Sequence, residues 1–126
     1  MKTLIKICGL TTQESVDVAV QSGADLIGFV FAKISPRCIS SEQARQLSES
    51  IPEQVKTTAV MLHPSDTEVQ EVFDEFPADY LQTDAKDFES LNLPEGCHPL
   101  KVYRDLPGFN PSDIDPNVLS LSLIHI

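Results

Sequence analysis

Residues 3–31 read TLIKICGLTTQESVDVAVQSGADLIGFVF, and the succession of patterns inside this stretch decides the fold. Thr3 to Cys8 is a short apolar run that stops at Gly9. Thr11-x-x-Glu14 has the form of a capping box, and Val16, Ala19 and Val20 then fall on one helical face. Gly23 supplies a helix stop. Leu26 to Phe31 follows as a nearly continuous apolar run, the pattern of a parallel strand covered on both faces. Strand, helix and strand in this order make a βαβ unit.

The same rhythm continues outward. Ser35-Pro36 breaks the chain, and Ser40-x-x-Gln43 opens a second helix with Ala44, Leu47 and Ile51 inward and Pro52 beyond it. Thr57 to Leu62 reads as a third strand. Ser65-x-x-Glu68 is a further capping box, starting a helix with Val69, Val72, Phe73 and Phe76 on one face, and Pro77 ends it. Asp79 to Gln82 is a fourth strand, Ala85 to Leu91 a short helix and Pro99 to Tyr103 a fifth strand. Strict alternation argues an α/β fold, a parallel sheet with right-handed helical crossovers. Two architectures accept it, an open doubly wound sheet or part of a (β/α)₈ TIM barrel. The length of 126 residues favours the open sheet, because a barrel takes about 250. Residues 1–105 hold the repeating units; 106–126 read as an irregular loop rich in Pro, Asn and Asp and an apolar tail, LSLSLIHI, that is either a sixth strand or a truncated or replaced C-terminus.

Composition excludes several functions. At 41% hydrophobic and 22% charged the chain is too apolar for a disordered tail. No apolar run reaches the roughly 20 residues that span a bilayer, and the N-terminus lacks a signal-peptide core and cleavage site; the expectation is a soluble cytoplasmic protein that does not engage a membrane. The net charge is −10, all of it in the second half: residues 64–126 carry three basic side chains against thirteen acidic ones. Such a chain repels phosphate backbones, so no nucleic-acid partner is expected. Cys8, Cys38 and Cys97 are odd in number and widely spaced, and His63, His98 and His125 are isolated in sequence. Reduced thiols are expected, with no disulfide framework and no metal site.

In either architecture functional residues gather at the C-terminal ends of the strands. That singles out Cys8, Lys33 to Arg37, His63, Thr83-Asp84 and Arg104-Asp105. Cys8 is either a small buried hydrophobe or a thiolate activated near the start of the first helix. Arg37 is either a solvated loop cation or a fork for a carboxylate or phosphate. His63 belongs to the loop leading into the third helix, and Cys38 and Cys97 are bystanders. No GxGxxG fingerprint and no P-loop is present, which removes the usual support for a nucleotide site.

Three blocks, in order and correctly spaced, carry a resemblance. Lys6-Ile7-Cys8-Gly9-Leu10-Thr11 resembles the opening strand motif of the phosphoribosylanthranilate isomerases of tryptophan biosynthesis. Gly23-Ala24-Asp25 with Ile27-Gly28-Phe29-Val30-Phe31 is similar to that family's second strand, and Ser35-Pro36-Arg37 with Ile39 to the loop after it. The resemblance implies a partial TIM barrel with five to six of the eight strands. It also implies an Amadori rearrangement of phosphoribosylanthranilate, an aminoaldose phosphate, to the aminoketose, without cofactor or metal. Cys8 would be the catalytic base and Arg37 a substrate ligand at the anthranilate carboxylate. The sequence departs from the family at Gln82-Thr83-Asp84-Ala85, where Gln-Leu-His-Gly is common. No residue matches the family's catalytic Asp after strand six, or its phosphate loops after strands seven and eight. The expectation is therefore an isomerase portion that is inactive alone. Its alternative is a non-catalytic half-barrel that self-associates through its open sheet edge or needs a complementing C-terminal piece.

Overall fold

The computed structural model describes residues 3–104, the single residues 108, 110, 112 and 114, and residues 120–123. The sequence expectations for the rest of 106–126, and for Asp105, lie outside them. The described elements run β1 (Lys6–Cys8), α1 (Gln13–Gln21), β2 (Leu26–Val30), α2 (Ser41–Ser48), β3 (Lys56–Val60), α3 (Asp66–Glu75), β4 (Tyr80–Asp84), a 3₁₀ turn (Ala85–Glu89), β5 (His98–Arg104) and β6 (Ser120–Leu123). The six strands form one sheet in the order β1-β2-β3-β4-β5-β6, and every neighbouring pair is parallel.

Sequential order answers the question that length left open. A doubly wound sheet reverses direction at a switch point and has helices on both faces; this sheet never reverses. Val16 and Ala19 of α1, Ala44 and Leu47 of α2, and Val69 and Phe73 of α3 join one buried cluster with Ile27, Phe29, Ala59 and Leu81. Register joins Phe29 to Ala59 and Ala59 to Leu81, so the cluster lies on one face of the sheet. All three helices therefore cover the same side, which is the arrangement of a barrel wall. The open-sheet expectation from length is corrected accordingly; the partial barrel stands.

The helix starts follow local hydrogen bonding. Ser40 accepts from the Gln43 amide, and Ser65 and Glu68 complete a reciprocal capping box. For α1 the cap lies one residue later than the sequence suggests: Thr12, not Thr11, accepts from the Ser15 amide, at 3.2 Å. The Thr11 carbonyl is taken instead by the Gln43 side chain of α2, at 3.2 Å.

Two aspartates tie the strands at their N-terminal ends. Asp25, before β2, accepts from the Ile5 amide at 2.9 Å. Asp79, before β4, accepts from the Thr57 amide at 2.9 Å and from its hydroxyl at 3.2 Å. Each follows a buried alanine, Ala24 or Ala78. The same device thus sets strand against strand at the end of the sheet opposite the strand C-termini.

Phe29 is the pivot of the core: it is fully buried and meets Phe76 edge-on with ring centroids 5.5 Å apart. Phe29→Ala is expected to cost about 3–5 kcal/mol, read as a lowered urea midpoint. Val18→Ala, on the exposed face of α1, is expected to stay within about 0.5 kcal/mol. Equal losses at the two positions would disprove this placement of the core.

Candidate active site

Barrel chemistry sits where the strands end at their carboxyl side. β1 ends there at the half-buried Cys8. Gly9 follows with φ +80°, and its amide donates to the Gly28 carbonyl at 3.0 Å. A Cβ at Gly9 would lie 2.8 Å from Arg37 Cδ and 3.0 Å from Nε and Nη1. The Arg37 side chain thus lies against the Gly9 backbone, one residue from the thiol. A residue with both a left-handed φ and a guanidinium on its open side has to be glycine.

Arg37 is held there by its own loop. Its amide donates to Ser35 Oγ at 3.1 Å, the Cys38 amide donates to the Ser35 carbonyl at 3.1 Å, and the Ile39 amide returns to the Val30 carbonyl at 3.0 Å. Ile39 is buried in the core, anchoring the loop's far end. The Cys38 thiol points to its neighbour's carbonyl. Cys97 precedes β5, at the opposite end of the sheet from Cys8.

The face turned away from the helices carries a continuous row: register aligns Cys8 with Gly28, Gly28 with Thr58, Thr58 with Tyr80 and Tyr80 with His98. A Cβ at Gly28 would lie 3.1 Å from Cys8 Sγ and 3.2 Å from both Lys6 Cε and Nζ. Gly28 is therefore a notch into which the thiol and an ammonium both reach. Sequence reasoning passed over Lys6 and Gly28. The i, i+2 spacing of Lys6 and Cys8 puts them on one strand face, but the notch opposite them depends on register.

A second group lies further along the same rim. His63, with φ +43°, presents Nδ1 to Asp87 Oδ2 at 2.9 Å, and Thr83 donates to the same oxygen at 2.7 Å. Nε2 lies 3.7 Å from Asp84 Oδ2. His63 does lie between β3 and α3, as its sequence position suggests, and is 57% exposed. The three side chains bring ligand atoms within 4.8 Å of one another, so this is where a cation would find donors among the described residues. Asp84 and Gln82 also line an open cavity of about 340 Å³ with Ile34, Met61 and Val102. Gln82 Oε1 and Thr58 Oγ1 are buried without a hydrogen-bond partner. No helix among the described residues is long and apolar enough to cross a membrane.

One-sided helices and sequential parallel strands define the class: part of a βα-barrel. Residues 5–93 match the family model of N-(5'-phosphoribosyl)anthranilate (PRA) isomerase. A curated relative from Streptococcus mutans, an N-(5'-phosphoribosyl)anthranilate isomerase, is 51% identical over 80 residues, covering 64% of this chain and 41% of its own length. The solved phosphoribosyl anthranilate isomerase of Thermus thermophilus is 25% identical with a TM-score of 0.77, covering 97% of this chain and 62% of its own. A solved isomerase in complex with reduced 1-(o-carboxyphenylamino)-1-deoxyribulose 5-phosphate is 28% identical with a TM-score of 0.68, covering 82% of this chain and 54% of its own. The chain belongs to the N-(5'-phosphoribosyl)anthranilate isomerase family. It spans about half the length of the curated relatives it matches.

Burial pushes Cys97 up from 9.0 to about 11, against a smaller lowering from its backbone hydrogen bond to Leu81. Between those values the unfolded chain loses the proton and the folded chain keeps it. Folding stability from this group is thus unaffected below about pH 9 and falls as pH rises toward 11. At pH 8 Cys97 is expected to react with iodoacetamide about a hundredfold more slowly in the folded chain than in urea. Equal rates by peptide mass spectrometry would refute the buried setting.

Proposed function

We propose that this chain carries the β1–β2 part of the active site of an N-(5'-phosphoribosyl)anthranilate isomerase, with Cys8 as general base and Arg37 as ligand of the anthranilate carboxylate. The observation that supports it most directly is the Arg37 side chain lying on Gly9 beside the Cys8 strand end, in a chain matched to the isomerase family over residues 5–93. The substrate is a cytoplasmic small molecule of tryptophan biosynthesis, and the reaction uses no cofactor or metal.

The chemistry suits these two groups. A general acid gives a proton to the furanose ring oxygen, the C1'–O bond breaks, and the nitrogen lone pair forms a protonated Schiff base. That cation acidifies C2'. The Cys8 thiolate takes the C2' proton, the electron pair moves to give an enolamine, and tautomerisation yields the ketone. Arg37, a planar fork, fits a carboxylate in two-point contact. Among the described residues none corresponds to the acid expected after strand six. Loss of a general acid costs about 10²–10⁴-fold in rate, so the 126 residues alone are inferred to be nearly inactive.

Completed by the C-terminal half of a solved member of the family, the chain is expected to restore growth to an isomerase-deficient tryptophan auxotroph. Cys8→Ala is expected to abolish this while the purified protein still binds reduced 1-(o-carboxyphenylamino)-1-deoxyribulose 5-phosphate. Arg37→Ala is expected to weaken that binding at least tenfold, by about 1.4 kcal/mol or more. Growth sustained by Cys8→Ala would sink the assignment of the base.

A second reading, a non-catalytic half-barrel that persists only by pairing, is favoured by one feature. Beside the unpaired edge of β1, Leu4, Ile5 and Ile7 are exposed, Ile5 at 55%. Pairing of two copies through this edge is expected to give a dimer by light scattering, lost in Ile5→Lys. A monomer at every accessible concentration would exclude it.

A further inference from the structure

We infer that Lys6 is a positioning residue of the Cys8 site: its ammonium is the counter-charge that the Cys8 thiolate faces, and with Arg37 it makes the site select anionic reactants. The inference deepens the reading of Cys8 as the reacting group and rests on it.

The geometry carries it. Lys6 starts one pleat below Cys8, at the level of Leu26, whereas Cys8 is level with Gly28. Yet Lys6 Cε and Nζ both come within 3.2 Å of the position a Gly28 Cβ would take, and Cys8 Sγ comes within 3.1 Å of the same point. The lysine therefore climbs along the strand and delivers its charge at the height of the sulfur. Gly28 is what admits it, since any side chain there would occupy the meeting point. Lys6 is partly buried, and it takes no part in the ion pairs found among the described residues, which belong to Arg45 and His63. A lysine held on the concave face without a carboxylate has its charge available to the thiolate and to a reactant. Arg37 reaches the same strand end from the other side, over Gly9. Lys6 thus brings one cation to the sulfur and Arg37 a second to the backbone of the next residue, in a chain whose net charge is −10.

The test reads charge at the sulfur without using turnover. Cys8 in the folded chain is alkylated at low ionic strength with iodoacetate, an anion, and with iodoacetamide, its neutral analogue. In each case sulfur attacks the methylene carbon and iodide leaves. Rates are taken from the Cys8 peptide by mass spectrometry. The iodoacetate-to-iodoacetamide ratio is expected to be about three- to tenfold higher in the folded chain than in urea, and to shrink in 0.5 M salt. Lys6→Met is expected to remove most of this excess and Lys6→Arg to retain it. Lys6→Gln, which keeps a polar stem without the charge, is expected to lower the ratio as Lys6→Met does. An unchanged ratio in Lys6→Met with native circular dichroism overturns the inference. Should Lys6→Met not fold, an unchanged ratio in Lys6→Gln does the same. An isomerase-active Cys8→Ala protein would instead defeat the catalytic assignment and leave the charge measurement standing.

Discussion

The register of β1 on β2 is the constraint on which the site depends. Lys6 pairs with Leu26, Ile7 with Ile27 and Cys8 with Gly28. Side chains alternate along a strand, so a slip of one residue would turn Cys8 and Lys6 toward the helices and Ile7 toward the concave face. Two aspartate bonds oppose such slips, Asp25 to Ile5 and Asp79 to Thr57, both at the ends remote from the chemistry. Glycine within a strand weakens it, and Gly28 sits in the middle of β2. That local cost is offset by Ile27 and Phe29 on either side, both fully buried against the helices. Stability is drawn from one face of the strand, and the proposed chemistry lies on the other.

That division runs through the whole sheet. The helix-facing side is filled by apolar residues, and the polar side chain there that is most buried, Thr83, is satisfied by Asp87. On the concave side Thr58 and Gln82 keep buried oxygens without partners. Unsatisfied buried polar groups are uncommon in native proteins, and here they lie on the face that carries Cys8. Sequence rules break down most often where a surface serves function rather than packing, and this asymmetry agrees with that.

Much of the fold was legible because it is written locally. Ser40 and Ser65 announce their helices through bonds three residues away, and Val16, Ala44 and Val69 mark the inward stripes. The one-residue error at Thr11 arose where two adjacent threonines could each cap; a contact with Gln43, thirty-two residues distant, separates their roles. Strand order was not legible from pattern, since alternation fits both open sheets and barrels, and length favoured the wrong one. Cys8 and Arg37 were paired by family resemblance alone. Lys6 and Gly28 escaped because their meeting needs the register of two strands. His63 escaped as a partner of Asp87 because twenty-four residues separate them.

Charge is unevenly distributed around the rim. Lys6 and Arg37 bring positive charge to the β1–β2 side, whereas Asp84 and Asp87 put carboxylates at the end of β4 and the turn after it. Adjacent strands are about 4.8 Å apart, so the two ends of this dipole are separated by roughly 10–15 Å, the span of a small elongated metabolite. An anion entering such a field is drawn toward β1–β2 and away from β4, and low-dielectric walls sharpen the effect. Such a field would orient a charged reactant before any specific contact forms. On the proposed reading of the site, a carboxylate drawn this way would meet Arg37, with the adjoining carbon framework beside the Cys8 sulfur. Asp84 and Asp87, part of the acidic second half that taken as a bulk property argues only against binding anions, then stand across the sheet from the basic corner rather than over it.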